Sequence, residues 1–430
     1  MLAVAWLKSF VPAQEMEQRL ERAKQHLVRA RNQIFRGEAA SLYDSTDTAA
    51  WYIFQAETFA SDRRYWTPEG VMRVVPFLTR IGKEMPLLLS VGGVEQRAAR
   101  LMLSERQQPD GALFELLVAL AYRRRGWDRV EFVSETPGRG RTPDLNVFRR
   151  SKRWAVECKR LMPSPYASRE KLRGEALASP VHALSLQMFS PVVVEIVYKL
   201  ELASVPDDYL VSHVRGAVEA RSLHLWDDEF ATGHIRPINW QLARRVLDKD
   251  YVYFGGSRMI ELLVGQYDHQ SDHSISAKWR PVDHNLTYTD AIYHASIVSW
   301  RCVSPVAISK KARHFKSVMS NAERQLPSDR PGVIHIGVES YSGAQVDFSR
   351  HVANMLETRF FKPRNSRLRW VYGNYFVPEA TTRHDESWAI TETMVPYKVG
   401  SHRTEWPLPG HLLVSPENGG RPGVHWDGKE

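Results

Sequence analysis

The sequence predicts an α/β protein built on a mixed β-sheet flanked by helices, and three observations lead there. Residues 1–107 carry helical periodicity. From Asp110 to Val197 the pattern orders itself as helix, strand, strand, strand, helix, strand, an order that suits a mixed sheet covered by helices. The C-terminal half then alternates β-branched runs with amphipathic stretches.

Taken in order, residues 14–37 read as an amphipathic helix in which Met16, Ala23 and Ala30 interleave with Leu20, Leu27 and Ile34. Three heptads with two alanines make a weak coiled-coil seam, so the expectation is a core-packing helix. Helical pattern continues to residue 106, punctuated by Thr67-Pro68 and Gly92-Gly93. Asp110 is the expected N-cap of a helix that ends near Gly126. A strand follows at Val130–Ser134. Then Pro143–Phe148 and Trp154–Lys159 flank the polar tip Arg149–Lys152, which reads as a β-hairpin. A helical stretch reaches Met188, and Val192–Val197 is the next strand. Residues 108–202 are therefore expected to form a core. Residues 203–402 should form an α/β region that extends the core sheet or stands beside it. Strands are expected there at 251–254, 296–303, 332–338 and 370–376, with helices at 309–326 and 346–360. Residues 403–430 read as an irregular tail.

The chain has 430 residues, a formal charge of +9 and two cysteines, Cys158 and Cys302. This composition excludes disorder, collagen and a disulfide scaffold. The run Met1–Leu7 is too short for a signal peptide, and no apolar run is long enough to span a bilayer, so a cytoplasmic protein with no membrane partner is expected. The charge is concentrated. Residues 111–175 hold fifteen Lys and Arg against eight Asp and Glu, whereas residues 176–430 balance. A compact basic block is the footprint of a polyanion-binding face.

Glu115 is the only polar residue between Ala112 and Tyr122, on a helix apolar all round, so it reads as buried and needs a cation beside it. The hairpin is expected to supply that partner. Alternation along its second strand puts Trp154, Val156 and Cys158 on one face and Ala155, Glu157 and Lys159 on the other. Asp144 opens the first strand and can approach Glu157 across the hairpin. Two carboxylates this close repel unless a cation lies between them, and all-oxygen ligation with room for waters is what Mg²⁺ takes.

Pro143-Asp144, then Glu157-Cys158-Lys159, with Glu115 on a preceding helix, resembles the PD-(D/E)XK nuclease superfamily. The likeness covers roughly residues 108–200. It implies a restriction-endonuclease-like α/β/α core in which Asp144 and Glu157 bind Mg²⁺, for which Mn²⁺ would substitute. The Cys158 backbone carbonyl would be a further ligand. Lys159 would position or activate water, and Glu115 would tune the site or hold a second metal. The implied activity is that of an endonuclease, a hydrolase of phosphodiester bonds in nucleic acid, DNA in the first instance. Arg139, Arg141, Arg149, Arg150, Arg169, Lys171 and Arg173 are the candidate phosphate contacts.

Two other readings stand beside it: an RNA nuclease, and a catalytically idle nuclease fold serving as a nucleic-acid-binding or scaffold protein. A protein partner or a homodimer is compatible with all three. The Cys158 thiol reads as a small core side chain, Trp127 and Trp154 as core, and His335 as a strand histidine with a satisfied hydrogen bond. No histidine spacing marks a zinc site, and the Gly-Gly pairs lack a phosphate-loop context.

Overall fold

Helical periodicity in the first hundred residues becomes six helices, Leu2–Lys8, Ala13–Phe35, Thr48–Ser61, Pro68–Lys83, Met85–Leu89 and Val94–Met102, in a computed structural model. The structure describes all residues except 37, 39, 135–141, 162–163, 221, 284, 365, 381, 385, 387–388, 409–412, 415–423 and 428–430, and the side chain of residue 63. In Ala13–Phe35 the residues Met16, Ala23 and Leu27 are buried in the main hydrophobic core, so this part of the heptad-like stripe is a core face, whereas Ile34 at its end is exposed. Arg19 is buried among them. It is tolerated because Asp47 takes two hydrogen bonds from its guanidinium, at 2.6 and 2.8 Å, and Met102 O a third at 2.9 Å. Asp47 also caps the next helix through Ala50 N.

Two six-stranded sheets follow. The chain first lays down β1 (Arg129–Phe132), β2 (Leu145–Arg149) and β3 (Lys152–Leu161). It then builds a second sheet from β4 (Val192–Tyr198), β5 (His224–Asp227), β6 (Ala231–Arg236), β7 (Val252–Tyr253), β8 (Asp272–Val282) and β9 (Asn285–Cys302). Finally it returns with β10 (Pro331–Glu339), β11 (Arg367–Glu379) and β12 (Ala389–Lys398). The first sheet has the order β1-β2-β3-β10-β11-β12, antiparallel at both ends and parallel at β3-β10-β11. One face meets the helix Asp110–Arg124 and the N-terminal helices, burying Val147, Trp154, Val156 and Val333. The other buries Ala155, Ile334 and Ile336 with the helix Lys316–Glu323.

Three expectations are corrected. Residues 192–197, read as the next strand of the core, lie in β4, which pairs with β6 and β9 in the second sheet, and the place beside β3 belongs to β10. Both runs are apolar on both faces, so side-chain pattern does not tell them apart. Asp110 is the first helical residue after Pro109 and makes no cap bond. Its carboxylate accepts from Tyr52 Oη at 2.7 Å. The helix expected over 309–326 is broken into Pro305–Lys311 and Lys316–Glu323. Trp127, Trp154 and Cys158 are buried in the core, as expected. His335 is wholly buried, with Tyr122 Oη 3.2 Å from Nε2 and Asn374 Oδ1 3.3 Å from Nδ1. Among the described residues, no helix is long and apolar enough to cross a membrane.

Gly92 and Gly93 dock the helical region onto β1: Gly92 N donates to Val130 O at 2.9 Å, and Gly92 O accepts from Phe132 N at 2.8 Å. Gly93 has φ +74°, and a Cβ there would lie 3.3 Å from Phe132 Cβ. Gly93→Ala is expected to cost about 1–2 kcal/mol in urea unfolding. Gly111→Ala, in a helix with open space around the new methyl, is expected to be neutral or stabilising by about 0.5–1 kcal/mol.

Candidate active site

β3 is longer than its hairpin partner. The ladder with β2 runs from Arg149–Lys152 to Leu145–Val156 and stops, while on its other edge β3 stays paired with β10 as far as Leu161. From Glu157 onward the β2 side of β3 is therefore open. The backbone there finds another partner: Cys158 N donates to Asp144 Oδ2 at 2.7 Å. That bond fixes the Asp144 side chain opposite Glu157, on the face that also carries Lys159.

Glu157 is fully excluded from solvent. The Lys159 ammonium lies against its Oε1 as an ion pair without hydrogen-bond alignment, and among the described residues Oε2 receives no hydrogen bond. Burial raises the Glu157 carboxyl to about 7 against the pull of Lys159, and Glu115 pushes in the same direction. Asp144 is raised well above its ordinary range, by burial first and then by the charges of Glu115 and Glu157, with its Cys158 N–H bond and Lys159 opposing. Lys159 is itself held above its usual value. Burial works against that rise, and the charges of Glu157 and Asp144 outweigh it, so it stays an ammonium at neutral pH. The four residues Glu115, Asp144, Glu157 and Lys159 thus form one electrostatic unit.

Glu115 comes from the helix on the opposite face of the sheet. Its partner is not in the hairpin, as expected, but is Arg97, on the helix Val94–Met102. Arg97 Nε and Nη2 donate to the two Glu115 oxygens at 2.5 and 2.8 Å, and Nη1 donates to Glu105 at 2.7 Å. Arg97 is buried, so this fork is shielded from water. Nothing in the local sequence marks it, because Arg97 and Glu115 lie on separate helices.

The phosphate-contact candidates scatter. Arg139 and Arg141 lie outside the described residues. Arg149 and Arg150 are exposed at the hairpin tip, five or six residues from Asp144, about 17 Å or more along the strand. Arg149 shares the parity of Leu145 and Val147, which bury against the helical face, so it points away from the acidic pair. Arg169 and Lys171 are exposed on the helix Pro165–Gln187. Arg173 holds the following loop, donating to Leu202 O at 3.2 Å, Val205 O at 2.5 Å and Asp207 Oδ1 at 2.5 Å. Conversely, Arg129 and Arg153 share the face of Asp144 and Glu157. Strand parity carried the signal for Arg153, which has the same odd parity as Glu157 and Lys159.

Among the described residues, no group of three or more His, Cys, Asp or Glu side chains is arranged to hold a metal ion. Both Glu115 oxygens are taken by Arg97, which leaves Asp144 and Glu157 as a two-carboxylate pair. Mg²⁺ is commonly bound by one or two carboxylates and keeps its remaining waters. Glu157 Oε2 is shielded from solvent and has no donor among the described residues, and burial is the first cause of the raised Asp144 and Glu157 pKa values. This donor set fits a divalent cation.

A carboxyl whose pKa rises on folding binds its proton more tightly in the folded chain. Its contribution to stability is therefore present in full below the ordinary value of 4.5 and is lost as pH rises through about 7. Without divalent metal, Glu157→Gln is expected to raise the melting temperature over wild type at pH 8, with the gap shrinking toward pH 5. Melting curves at the two pH values check it. Arg97→Met, which strands a shielded Glu115 charge, is expected to cost about 3–5 kcal/mol in chemical unfolding.

Comparison of the chain with known protein families, curated proteins and solved structures returns no match, so function rests on the site itself.

Proposed function

We propose that the protein is a metal-dependent nuclease with a restriction-endonuclease-like core formed by β1, β2, β3, β10 and the helices on their two faces. The observation that carries this reading is the gathering of Asp144, Glu157 and Lys159 at the open edge of β3, with a buried carboxylate oxygen that no donor among the described residues reaches. Lys159 and Glu157 alone would make an ordinary ion pair. A second carboxylate pinned opposite them, with its pKa pushed up, is costly to stability and calls for a function.

Asp144 and Glu157 would hold Mg²⁺, and the Cys158 carbonyl lies next to them in the chain as a further oxygen. The bound ion would neutralise charge developing on the phosphoryl oxygens and lower the pKa of attacking water. The remaining work belongs to the chain. Cys158 N–H orients the Asp144 carboxylate. Lys159, as an ammonium, donates hydrogen bonds that can hold a water or a phosphoryl oxygen against the site; in that protonated state it does not act as a base. Glu115, with both oxygens engaged by Arg97, contributes a fixed negative charge that raises the Asp144 and Glu157 pKa values. DNA is the proposed substrate class, and Mn²⁺ the expected substitute for Mg²⁺.

A panel of single- and double-stranded DNA and RNA, incubated with Mg²⁺ or with EDTA, tests the reading. Wild type is expected to cut DNA with Mg²⁺ and not with EDTA. Asp144→Ala and Lys159→Ala are expected to lose about 10²–10³-fold or more of that activity while melting as folded proteins. Cutting of RNA alone would change the substrate. Equal activity in wild type and both variants would refute the site, and the absence of any cutting by wild type would leave an idle nuclease fold.

A further inference from the structure

Alternation along the hairpin places more than the acidic pair on one face. Asp144, Asn146 and Phe148 of the first arm share it with Arg153, Ala155, Glu157 and Lys159 of the second, because Leu145, Val147, Trp154, Val156 and Cys158 are buried on the other. Register then brings Arg129 of β1 beside Phe148, and Phe148 beside Arg153. The three side chains stack: the Arg129 guanidinium lies 4.0 Å from the Phe148 ring centroid and that of Arg153 lies 5.3 Å from it. Arg129 also has a carboxylate near it, with Nε 3.5 Å from Glu131 Oε2 in a pair that is largely exposed on the arginine side. Arg153 is exposed. Between this stack and the acidic pair, Arg330 from the turn entering β10 reaches Asn146 Oδ1 at 3.0 Å, with its charge shared by Asp329.

We propose that Arg129, Phe148 and Arg153 form a second contact for the phosphodiester backbone of the nucleic acid whose scissile phosphate sits at Asp144 and Glu157, an assignment of orientation that rests on the nuclease reading above. Arg153 and Glu157 are four residues apart on one strand, about 13 Å. One strand of B-form DNA rises about 3.4 Å of helix axis per phosphate while winding about that axis, which sets neighbouring phosphates about 6–7 Å apart through space, so the two sites are spaced by about two nucleotides. A guanidinium stacked on an aromatic ring has its plane fixed and its N–H edges directed outward, which lowers the entropy lost on binding a phosphate. The ligand expected from this layout is a polyanion with spaced charges, since Lys159 and the Arg129–Arg153 stack present cations on either side of Ala155, which is buried against the helix Lys316–Glu323. Contacts of this kind position the backbone and read no sequence.

The geometry also supplies a matched control. Arg149 and Lys152 are neighbours across the same hairpin, are exposed, and have the opposite parity. Replacing them removes the same charge from the other side of the sheet. The experiment is fluorescence anisotropy of a labelled 20-base-pair DNA duplex with the full-length protein in EDTA, over a salt series. Arg129→Ala/Arg153→Ala is expected to weaken binding more than tenfold near 0.1 M salt and to reduce the slope of log K against log salt by about two. Arg149→Ala/Lys152→Ala is expected to stay within about threefold of wild type, a change of under about 0.7 kcal/mol. Equal losses in both pairs, or none in the first, would overturn the proposal. So would wild-type binding to phosphatidylserine vesicles as tight as to the duplex and equally sensitive to Arg129→Ala/Arg153→Ala. Binding in EDTA needs no cleavage, so a wild type that never cuts refutes the nuclease reading and leaves this contact standing, while an unchanged affinity with intact cutting does the reverse.

Discussion

The early end of β2 is the constraint from which the rest of the site follows. A ladder that continued past Leu145 would give Cys158 N–H a backbone acceptor and would fill the space beside Glu157. Because it stops at Val156, a backbone donor is left over, and the Asp144 carboxylate takes it. One hydrogen bond of 2.7 Å thus replaces a strand pair and sets an acid where hydrogen bonding alone would call for a neutral carbonyl. The same opening lets Glu115, on the far face, be felt by both carboxylates of the near one.

This arrangement is held by a balance of charges distributed over three elements. Glu115, Asp144 and Glu157 gather in a region of low dielectric, where like charges repel strongly. Lys159 from β3 and Arg97 from the N-terminal helices offset them. Arg97 is committed to Glu115 and Glu105, and Lys159 to Glu157, while Asp144 has, among the described residues, the single Cys158 N–H, and burial raises its pKa. The helical region is therefore part of the site's electrostatics as well as of its packing, since Arg97 is anchored in the main core beside Val94 and Ala98. Such a pair, destabilised without a counter-ion, is what a divalent cation would relieve, and this links the stability of the fold to the proposed chemistry.

How much of this was legible in the sequence depended on the range of the interaction. The convergence of Asp144, Glu157 and Lys159 was readable, because hairpin register and strand alternation act over fifteen residues. The core roles of Cys158 and Trp154 followed from the same alternation. Its consequence for the arginines was also present in the sequence: Arg153 shares the parity of Glu157, and Arg149 does not. What local pattern could not show was which partners come from a distance. The β-branched runs at 192–198 and 331–339 are equally apolar, and only the completed fold sends the first into a separate sheet and the second to the side of β3. The Arg97 fork on Glu115 joins two helices whose relative placement no local pattern specifies. Nor does it distinguish a basic residue facing phosphate from one like Arg173, which ties down its own loop.

The central claim is that Asp144 and Glu157 together form a cation site. The most direct measurement is a crystal of the wild-type protein soaked in Mn²⁺, with anomalous scattering recorded near the manganese edge. An anomalous peak is expected between the two carboxylates, within bonding distance of both. A well-ordered site with Glu157 still closed on Lys159, and with manganese absent or bound elsewhere, would contradict it.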